Sequence, residues 1–528
     1  MKPPVDSNRA KYMTLIAAFL GWMFDGFEMG LFPLIGQPAL KDLLGPNAPA
    51  GDTAAWFGAI IAVFLVGAAS GGVLFGWLGD KIGRVRAMSL SIFTYAIFTG
   101  LCGFATEAWH IAALRFIASL GMGGEWSLGV ALVNEVWPGK SRALIAGLIG
   151  AAANVGFLLV ALLSMGLVGF IGGVEVMLRS IGLSEAATQS LLANSAWRFL
   201  MISGAFPALL IFFIRLFVGE SEKWVEENAK GSTSHWSKSD LLGVLVACIA
   251  ALVIIGVWSP ALSKLHWTWA TLVTIIGLAV ALWGYLFPVK QYLARAVAAG
   301  SLQPGTQARV VRSMLFGAVL AGVALLGTWG SIQWAPRWAA ELMPDTATVK
   351  HFAKEKTQLA TSLGAIVATI IAAVAAGRFG RRITYAVLCV GSIASALYFY
   401  LGNSTFGSGF LFAAFLAGGV TAAFYGFFPL YFPELFPTAV RATGQGFAFN
   451  FGRIVAAIGG LQTATLIKAF DGSFAKTGST LAAIYLIGLV AIWWGPETKD
   501  RELPERSGGD PRPRTVNCPN NPRGGPAR

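Results

Sequence analysis

The sequence predicts an all-α integral membrane protein of about 14 transmembrane helices, arranged as two pseudo-symmetric six-helix bundles plus two inserted helices. The prediction rests on composition, on recurring apolar stretches and on an internal repeat. Of the 528 residues, 55% are hydrophobic and only 12% are charged, which is less charge than a soluble domain carries. About 20 apolar residues cross the roughly 30 Å hydrocarbon core of a bilayer. Such a stretch must be helical, because a helix satisfies its own backbone polar groups.

Fourteen apolar stretches are long enough to be predicted spans. They are 12–34, 54–76, 87–105, 108–133, 143–170, 197–218, 241–258, 267–287, 314–335, 358–376, 383–401, 410–432, 442–466 and 481–494. An even number of spans places both termini on one side of the membrane. Lysine and arginine in short loops favour the cytoplasm, and the loops on the side of the termini hold most of these cations: Lys11, Lys81, Arg84, Arg86, Lys140, Arg142, Arg295, Arg309, Arg312, Arg378, Arg381 and Arg382. We therefore expect cytoplasmic termini and a location in the plasma membrane, or the inner membrane of a Gram-negative cell.

Two loop sequences recur at nearly the same offset along the chain. "EVWPGKSRA" at 135–143 returns as "ELFPTAVRA" at 434–442, and "GDKIGRVR" at 79–86 is echoed by "AGRFGRRI" at 376–383. The repeat predicts an N-terminal six-helix bundle at 12–219 and a C-terminal one at 313–497. Residues 220–312 are then a cytoplasmic linker with two extra transmembrane helices, interpreted as a peripheral element, and 498–528 a disordered cytoplasmic tail. Such repeats with a site at their interface are typical of transporters.

Several motifs resemble those of the major facilitator superfamily. "GWLGDKIGRVR" resembles its loop signature between helices two and three, and "RFIASLGMGGEW" its fourth-helix signature. "GESEKW", "PELFPTAVRATG" and "PETKDRELPE" are similar to sugar-porter signatures, whereas "DGFE" and "GMGGEW…VNEVWP" are most similar to the sialic acid and monocarboxylate proton symporters. The resemblance implies proton-coupled symport of an organic acid or acidic sugar by alternating access. One departure is Gly377, which stands where the first loop copy has Asp80.

The loop signature also predicts a gate. Asp80, Gly83 and Arg84 stand where a span meets the cytoplasm, and Arg381 is in the second copy. An ion pair at a helix junction that is dry in one state and wet in the other becomes a state-dependent latch. The alternative is a turn with a positive-inside anchor.

Five ionisable residues lie well inside predicted spans: Asp25, Glu28, Arg115, Glu125 and Arg453. Such residues cost roughly 3 kcal/mol each on insertion scales and are functional candidates by default. The first four lie in the N-terminal half and are predicted to handle the proton. The depths of Asp25 and Arg115 along their helices predict that these two meet, and sugar-porter relatives pair an acid and an arginine on the same helices. The alternative is a static ion pair that fixes helix packing.

Arg453 is the candidate for binding the substrate. A guanidinium holds a carboxylate through two parallel hydrogen bonds, and in the repeat Arg453 matches Asn154, so the two are predicted to face each other across a cavity. The alternative is a packing residue bonded to backbone carbonyls. Further polar or aromatic candidates for the same cavity are Gln333, Trp334, Tyr425, Gln445 and Asn450.

Other function classes stay open on the sequence alone. A neutral sugar:proton symporter is favoured by the porter-type signatures, and a drug:proton antiporter would also have fourteen spans, although its usual Gly-Pro motif is missing from the fifth helix. A nutrient sensor would need a soluble signalling domain. The sequence has no catalytic constellation and predicts no enzyme, no metal, no cofactor and no nucleic-acid partner. The coupling ion is expected to be a proton, with sodium as the alternative, and the functional unit a monomer.

Overall fold

The computed structural model describes residues 8–45, 48–137, 141–258, 265–343 and 352–504. These residues form helices joined by short connections, which confirms the all-α class. The helices are α1 Asn8–Leu44, α2 Ala50–Ile82, α3 Arg84–Leu101, α4 Ala108–Val136, α5 Arg142–Met165, α6 Leu167–Ser180, α7 Glu185–Ser203, α8 Leu209–Phe217, α9 Glu222–Ala229, α10 Leu241–Trp258, α11 Trp267–Ala298, α12 Thr306–Gly330, α13 Ala335–Glu341, α14 Ala353–Phe379, α15 Arg381–Leu401, α16 Ser408–Ala422, α17 Phe424–Leu435, α18 Arg441–Asn450, α19 Gly452–Ala469, α20 Phe474–Leu481 and α21 Ile484–Ala491.

Twelve helical stretches among the described residues are long and apolar enough to cross a membrane. The other two of the fourteen predicted spans, 197–218 and 442–466, are each divided between shorter helices. The first is split between the end of α7 and α8, with a short 3₁₀ turn at Phe206–Ala208 between them. The second is divided at Phe451, between α18 and α19. A hydropathy pattern therefore finds these two segments but not their interruptions.

The two halves of the chain meet along two sets of helices. On one side α5 packs against α14 and α17, and on the other α2 packs against α18 and α19. Small residues permit the close approach of α5 and α17: a Cβ on Gly150 would lie 2.6 Å from the Cα of Gly426. Gly426 in turn lies against the backbone of Thr369 on α14. Such small-residue contacts replace the hydrophobic driving force that is missing between helices in lipid.

The inserted helices α10 and α11 form a hairpin that touches both halves. The pair packs against α2 of the N-terminal half and against α12, α18 and α19 of the C-terminal half. A buried hydroxyl contact of 2.8 Å joins Ser70 Oγ on α2 to Tyr285 Oη on α11. The hairpin therefore lies over a seam between the halves and is not attached to only one of them.

The predicted disordered tail is wrong for residues 498–504. Thr498 and Leu503 are buried, and the Thr498 hydroxyl donates to Glu434 Oε2 over 2.6 Å. Arg441 Nη2 donates to the Pro504 carbonyl over 2.8 Å. This packing orders the segment in spite of its polar composition. Residues 505–528 and Lys140 lie outside the described residues.

Candidate functional site

A narrow cavity of about 90 Å³, partly open to solvent, lies between the two halves. Its lining residues come from α1, α5, α12, α14, α16, α17, α18 and α19, and from the turn after α12. The lining begins near the middle of α1 and α5 and includes the first turns of α14, so the cavity occupies the part of the molecule away from the chain termini.

Four of the predicted substrate residues line this cavity, and they come from both halves: Arg453, Asn154, Gln333 and Tyr425. Asn154 and Arg453 therefore share one cavity, as their repeat positions predict. The hydroxyl groups of Tyr425 and Thr328 lie 2.7 Å apart, so Tyr425 is held by a neighbour that also lines the cavity.

Trp334, Gln445 and Asn450 do not belong to the described cavity lining. Trp334 packs against Phe474, with ring centroids 6.3 Å apart. Asn450 donates to the carbonyls of Gly123 at 3.1 Å and Gly446 at 3.0 Å, and Gln445 donates to Ser127 O. These two amides join α18 to α4, across the two halves. They are packing residues because their side chains point into a helix contact.

Sequence reasoning missed a polar face on α14. Gln358, Thr361 and Ser362 line the cavity near the start of this helix. Their spacing of three and four residues puts them on one face. Polar residues at helical spacing at the start of an otherwise apolar span are the signal that could have found them.

Arg453 is the second residue of α19, directly after the break at Phe451. The residue is 3% exposed, and its Nη1 is buried with no hydrogen-bond partner among the described residues. The guanidinium carbon lies 5.6 Å from the centroid of Phe449. A buried, unpaired donor costs free energy unless a partner arrives. The arrangement therefore fits an anionic ligand in the cavity.

Asp25 on α1 and Glu125 on α4 form a pair of buried carboxyl groups. Both are at most 2% exposed, and no described donor reaches the oxygens of either. The two carboxyl groups interact electrostatically with each other, and Asp25 also interacts electrostatically with Arg453. Glu125 approaches α1 so closely that a Cβ on Gly21 would collide with its carboxylate. Two dry carboxyl groups this close are stable together when a proton lies between them.

The predicted meeting of Asp25 and Arg115 is wrong. Arg115 Nη1 donates instead to Glu28 Oε1 over 2.7 Å, one helical turn further along α1. The Thr99 hydroxyl lies 3.4 Å from the same oxygen. The Arg115 guanidinium carbon lies 4.5 Å from the centroid of Phe32 and 4.7 Å from that of Phe64. Glu28 and Arg115 do not line the cavity, so this pair sits in the packed N-terminal half.

The predicted gating residues join the two halves on the side of the chain termini. Asp80 Oδ1 accepts from Arg84 Nη1 over 2.6 Å. The same carboxylate accepts from the backbone N–H groups of Ala442 at 3.2 Å and Thr443 at 2.9 Å. Because these N–H groups belong to the first turn of α18, Asp80 caps a helix of the opposite half. Gly83 has a φ of +107°, which glycine adopts without strain and which starts α3 at Arg84.

Two reciprocal ion pairs also join the two halves on the side of the chain termini. Glu135 of the N-terminal half binds Arg441 over 2.7 Å. Glu434 of the C-terminal half binds Arg142 and, over 2.6 Å, Arg381. The two pairs occupy equivalent repeat positions, so each half supplies one acid and one arginine to the other.

Two further acids each cap a helix that follows one of the repeated loop sequences, namely α3 or α15. Glu220 accepts from the N–H groups of Arg84 and Val85, and Glu497 from those of Arg381 and Arg382. Burial raises the pKa of Glu220. Burial also acts to raise the pKa of Glu497, but hydrogen bonds from the backbone N–H groups of Arg381, Arg382 and Lys499 outweigh it and hold that pKa below its usual range. At the position equivalent to Asp80, Gly377 packs against the Cβ of Ala143. Among the described residues, the cap across the interface is therefore present only in the first repeat copy.

Comparison with known proteins decides the family. The sequence profile of the Major Facilitator Superfamily matches residues 14–343 and 351–520. The chain belongs to the major facilitator superfamily. This membership confirms the resemblance seen in the motifs, and it confirms that the chain is a multi-pass membrane transporter and not an enzyme.

The relatives of this superfamily member are metabolite transporters by name. A metabolite transport protein of Haemophilus influenzae is 26% identical over 500 residues, covering 94% of this chain and 98% of the relative. The sialic acid transporter NanX of Escherichia coli is 28% identical over 230 residues, 44% of this chain and 49% of that protein. The proton:xylose symporter XylE bound to 6-bromo-6-deoxy-D-glucose shares the fold, with a TM-score of 0.61, 17% identity, and 93% and 97% of the two chains covered.

The Glu28–Arg115 pair of this superfamily member should act as a structural element. Glu28→Gln leaves the buried Arg115 charge without its partner, and breaking a buried pair in this way costs about 3–5 kcal/mol. We expect a lower melting temperature of the purified protein in detergent. The double variant Glu28→Met/Arg115→Met removes both charges and should recover most of the loss. A single variant as stable as the wild type would contradict the structural role.

Asp80→Asn should shift the protein away from the state closed on the side of the termini. The substitution removes the charge that binds both Arg84 and the start of α18, which lowers the equilibrium constant for the closed state by roughly tenfold. Spin labels at Arg86 and Arg378, one in each half, should then report longer distances. Asp52→Asn, at the other end of α2, is the control. An unchanged distance distribution would leave Asp80 as an anchor only.

Proposed function

We propose that this major facilitator superfamily protein is a proton-coupled symporter of a small organic acid, most closely fitting an acidic sugar or a monocarboxylate. The observation that supports this is the unpaired Nη1 of Arg453 in the wall of the cavity. A guanidinium there can form two parallel hydrogen bonds to a substrate carboxylate. The neutral polar groups of Asn154, Gln333 and Gln358 line the same cavity. They favour an acid that also carries hydroxyl or amide groups.

The coupling to protons rests on the neighbourhood of Asp25. When Asp25 is ionised and the cavity is empty, its carboxylate attracts the Arg453 guanidinium. A proton taken up by the Asp25–Glu125 pair removes this competing charge, so that Arg453 becomes available to a substrate carboxylate. Proton and substrate then favour each other's binding, which is the requirement for symport. Glu28 and Arg115, engaged with each other, support the pair from within the N-terminal half.

The contacts that join the two halves on the side of the termini support a mechanism of alternating access. In the described conformation the halves are joined on the side of the termini, so the cavity serves the opposite side. With both termini cytoplasmic, this conformation receives substrate from outside the cell. Release inside requires Asp80 to leave α18 and the two reciprocal ion pairs to separate. The transporter then works as a monomer in the plasma membrane, or in the inner membrane of a Gram-negative cell, with the proton as coupling ion and no cofactor.

A thermal-shift experiment with matched ligand pairs tests the substrate class. The probes are N-acetylneuraminate and its methyl ester, glucuronate and glucose, and lactate and lactamide. A ligand that binds the folded state raises the melting temperature, and we expect this from at least one acid but not from its neutral partner. Stabilisation by glucose without any response to the acids would favour the neutral sugar symporter instead. An equal response to an acid and its neutral partner would remove Arg453 as the basis of recognition.

A gradient experiment in proteoliposomes tests the coupling ion. The acid found in the screen should accumulate when the outside is more acidic than the inside, at equal sodium on both sides. Accumulation driven by an inward sodium gradient at equal pH would replace the proton with sodium and leave the carboxylate site intact.

A further inference from the structure

A second and larger cavity lies at the opposite end of the molecule from the substrate site. It is a groove of about 890 Å³, open to solvent, in the C-terminal half. The first half of α12, the start of α15, the end of α21 and the segment after it form its walls. Since Glu434 of the gate is also in its wall, the groove lies at the level where the chain leaves the membrane on the side of the termini.

The end of this groove at the membrane surface is strongly cationic. Arg309, Arg312, Arg382 and Arg501 line it, against the single acid Glu434. Glu434 is already engaged by arginines of both halves. Arg309 and Arg312 form no side-chain hydrogen bond or ion pair with the residues that the structure describes, and both are exposed. Arg382 is fixed by hydrogen bonds from Nε and Nη2 to the Gly495 carbonyl. The cationic end therefore has charge left for an anionic partner.

The part of the groove that extends into the membrane is apolar. Along α12 the arginines are followed by Leu315, Phe316 and Val319, which line the same groove. From Arg309 to Val319 the helix rises about 15 Å, which carries the wall from the headgroup level into the hydrocarbon layer. Leu315, Val319 and Trp494 are exposed, so this wall faces the membrane.

We propose that this groove binds an anionic phospholipid, with its phosphate at Arg309 and Arg312 and its acyl chains along Leu315, Phe316 and Val319. A free phosphate would use only the cationic end, and it would leave the apolar wall without a partner. Basic pockets between transmembrane helices at a membrane surface bind such headgroups. The proposal depends on neither the substrate nor the coupling ion. A lipid in the groove would lie beside Glu434 and could thus influence the gate.

Native mass spectrometry of the full-length protein tests the site. The protein is released from nanodiscs that contain equal amounts of phosphatidylglycerol and phosphatidylcholine. We expect phosphatidylglycerol to be retained, and Arg309→Ser/Arg312→Ser to weaken its binding by roughly tenfold or more. Lys290→Ser/Arg378→Ser removes the same charge on the same side of the molecule outside the groove, and should bind lipid as the wild type does.

A second variant separates the lipid from free phosphate. Val319→Trp fills the apolar wall but keeps both arginines, and should lower lipid retention without a change in melting temperature. Three results would overturn the proposal. The first is equal retention of the two lipids by the wild type, and the second is equal loss of binding in the groove variant and its charge-matched control. The third is complete displacement of the lipid by millimolar inorganic phosphate, with Val319→Trp behaving as the wild type. The last result would make the groove a site for free phosphate.

Discussion

Arg453→Lys is expected to weaken binding of the transported acid by about 10–100-fold while the protein stays folded. Lysine keeps the charge but cannot form the two parallel hydrogen bonds of a guanidinium. The loss of one charge-assisted hydrogen bond is worth about 1.5–3 kcal/mol. The measurement is the dissociation constant of the purified variant, with counterflow in proteoliposomes as the second readout.

Arg378→Lys is the matched control for this change. Arg378 is an exposed arginine at the end of α14 and does not line the cavity. The melting temperature of the empty protein should be similar in both variants, since Arg453 Nη1 has no described partner to lose. Wild-type affinity in Arg453→Lys would reduce Arg453 to a packing residue. A large loss of stability before any ligand is added would point in the same direction.

The overall fold follows from the sequence because its causes are local and additive. Apolar stretches of membrane length define helices wherever they occur, and the repeated E-x-x-P-x-x-x-R-A motif predicts equivalent positions in two halves. The structure uses that motif reciprocally, with Glu135 binding Arg441 and Glu434 binding Arg142. The departure at Gly377 could also be read directly, because a missing carboxylate needs no knowledge of packing.

The partners within the membrane could not be read in the same way. Depth along a helix is known only to about one turn, or 5.4 Å. Asp25 and Glu28 are one turn apart, so the depth argument could not decide which of them Arg115 contacts. The rotation of α1 against α4 decides it, and that rotation depends on close contacts such as the one between Gly21 and Glu125.

The same limit applies to the cavity lining. Asn450 and Arg453 are three residues apart and are both candidates for the cavity, yet the break at Phe451 separates them into two helices. Asn450 consequently bonds to the backbone of α4, and Arg453 lines the cavity. The sequence does not show which of the two side chains faces the cavity, because side-chain direction is set by tertiary packing.

Asp25→Asn is expected to abolish accumulation driven by a pH gradient and to keep substrate exchange at equal concentrations. Asparagine has the shape of aspartic acid but cannot release a proton. It also removes the negative charge near Arg453, so substrate binding no longer has to compete with an ionised Asp25. Exchange needs binding and alternation but no net proton movement, which is why it should survive.

The dependence of affinity on pH gives the sharper readout. In the wild type, lower pH adds a proton to the Asp25–Glu125 pair and frees Arg453, so the apparent affinity for the acid should rise as pH falls. In Asp25→Asn this slope should disappear, with an affinity near the wild type's low-pH value. Both are measured on the purified protein, over a range in which the substrate carboxylate stays ionised.

Two variants make this test specific. Glu341→Gln removes an exposed acid on α13 and should change neither accumulation nor the slope. Glu125→Gln distinguishes the members of the pair: if Glu125 is the residue that releases the proton, that variant loses accumulation and Asp25→Asn retains it. Uphill uptake by Asp25→Asn would exclude Asp25 as the coupling residue. A loss of folding in both would instead make the pair a structural contact between α1 and α4, because a site that carries a proton across the membrane must tolerate both the charged and the neutral form.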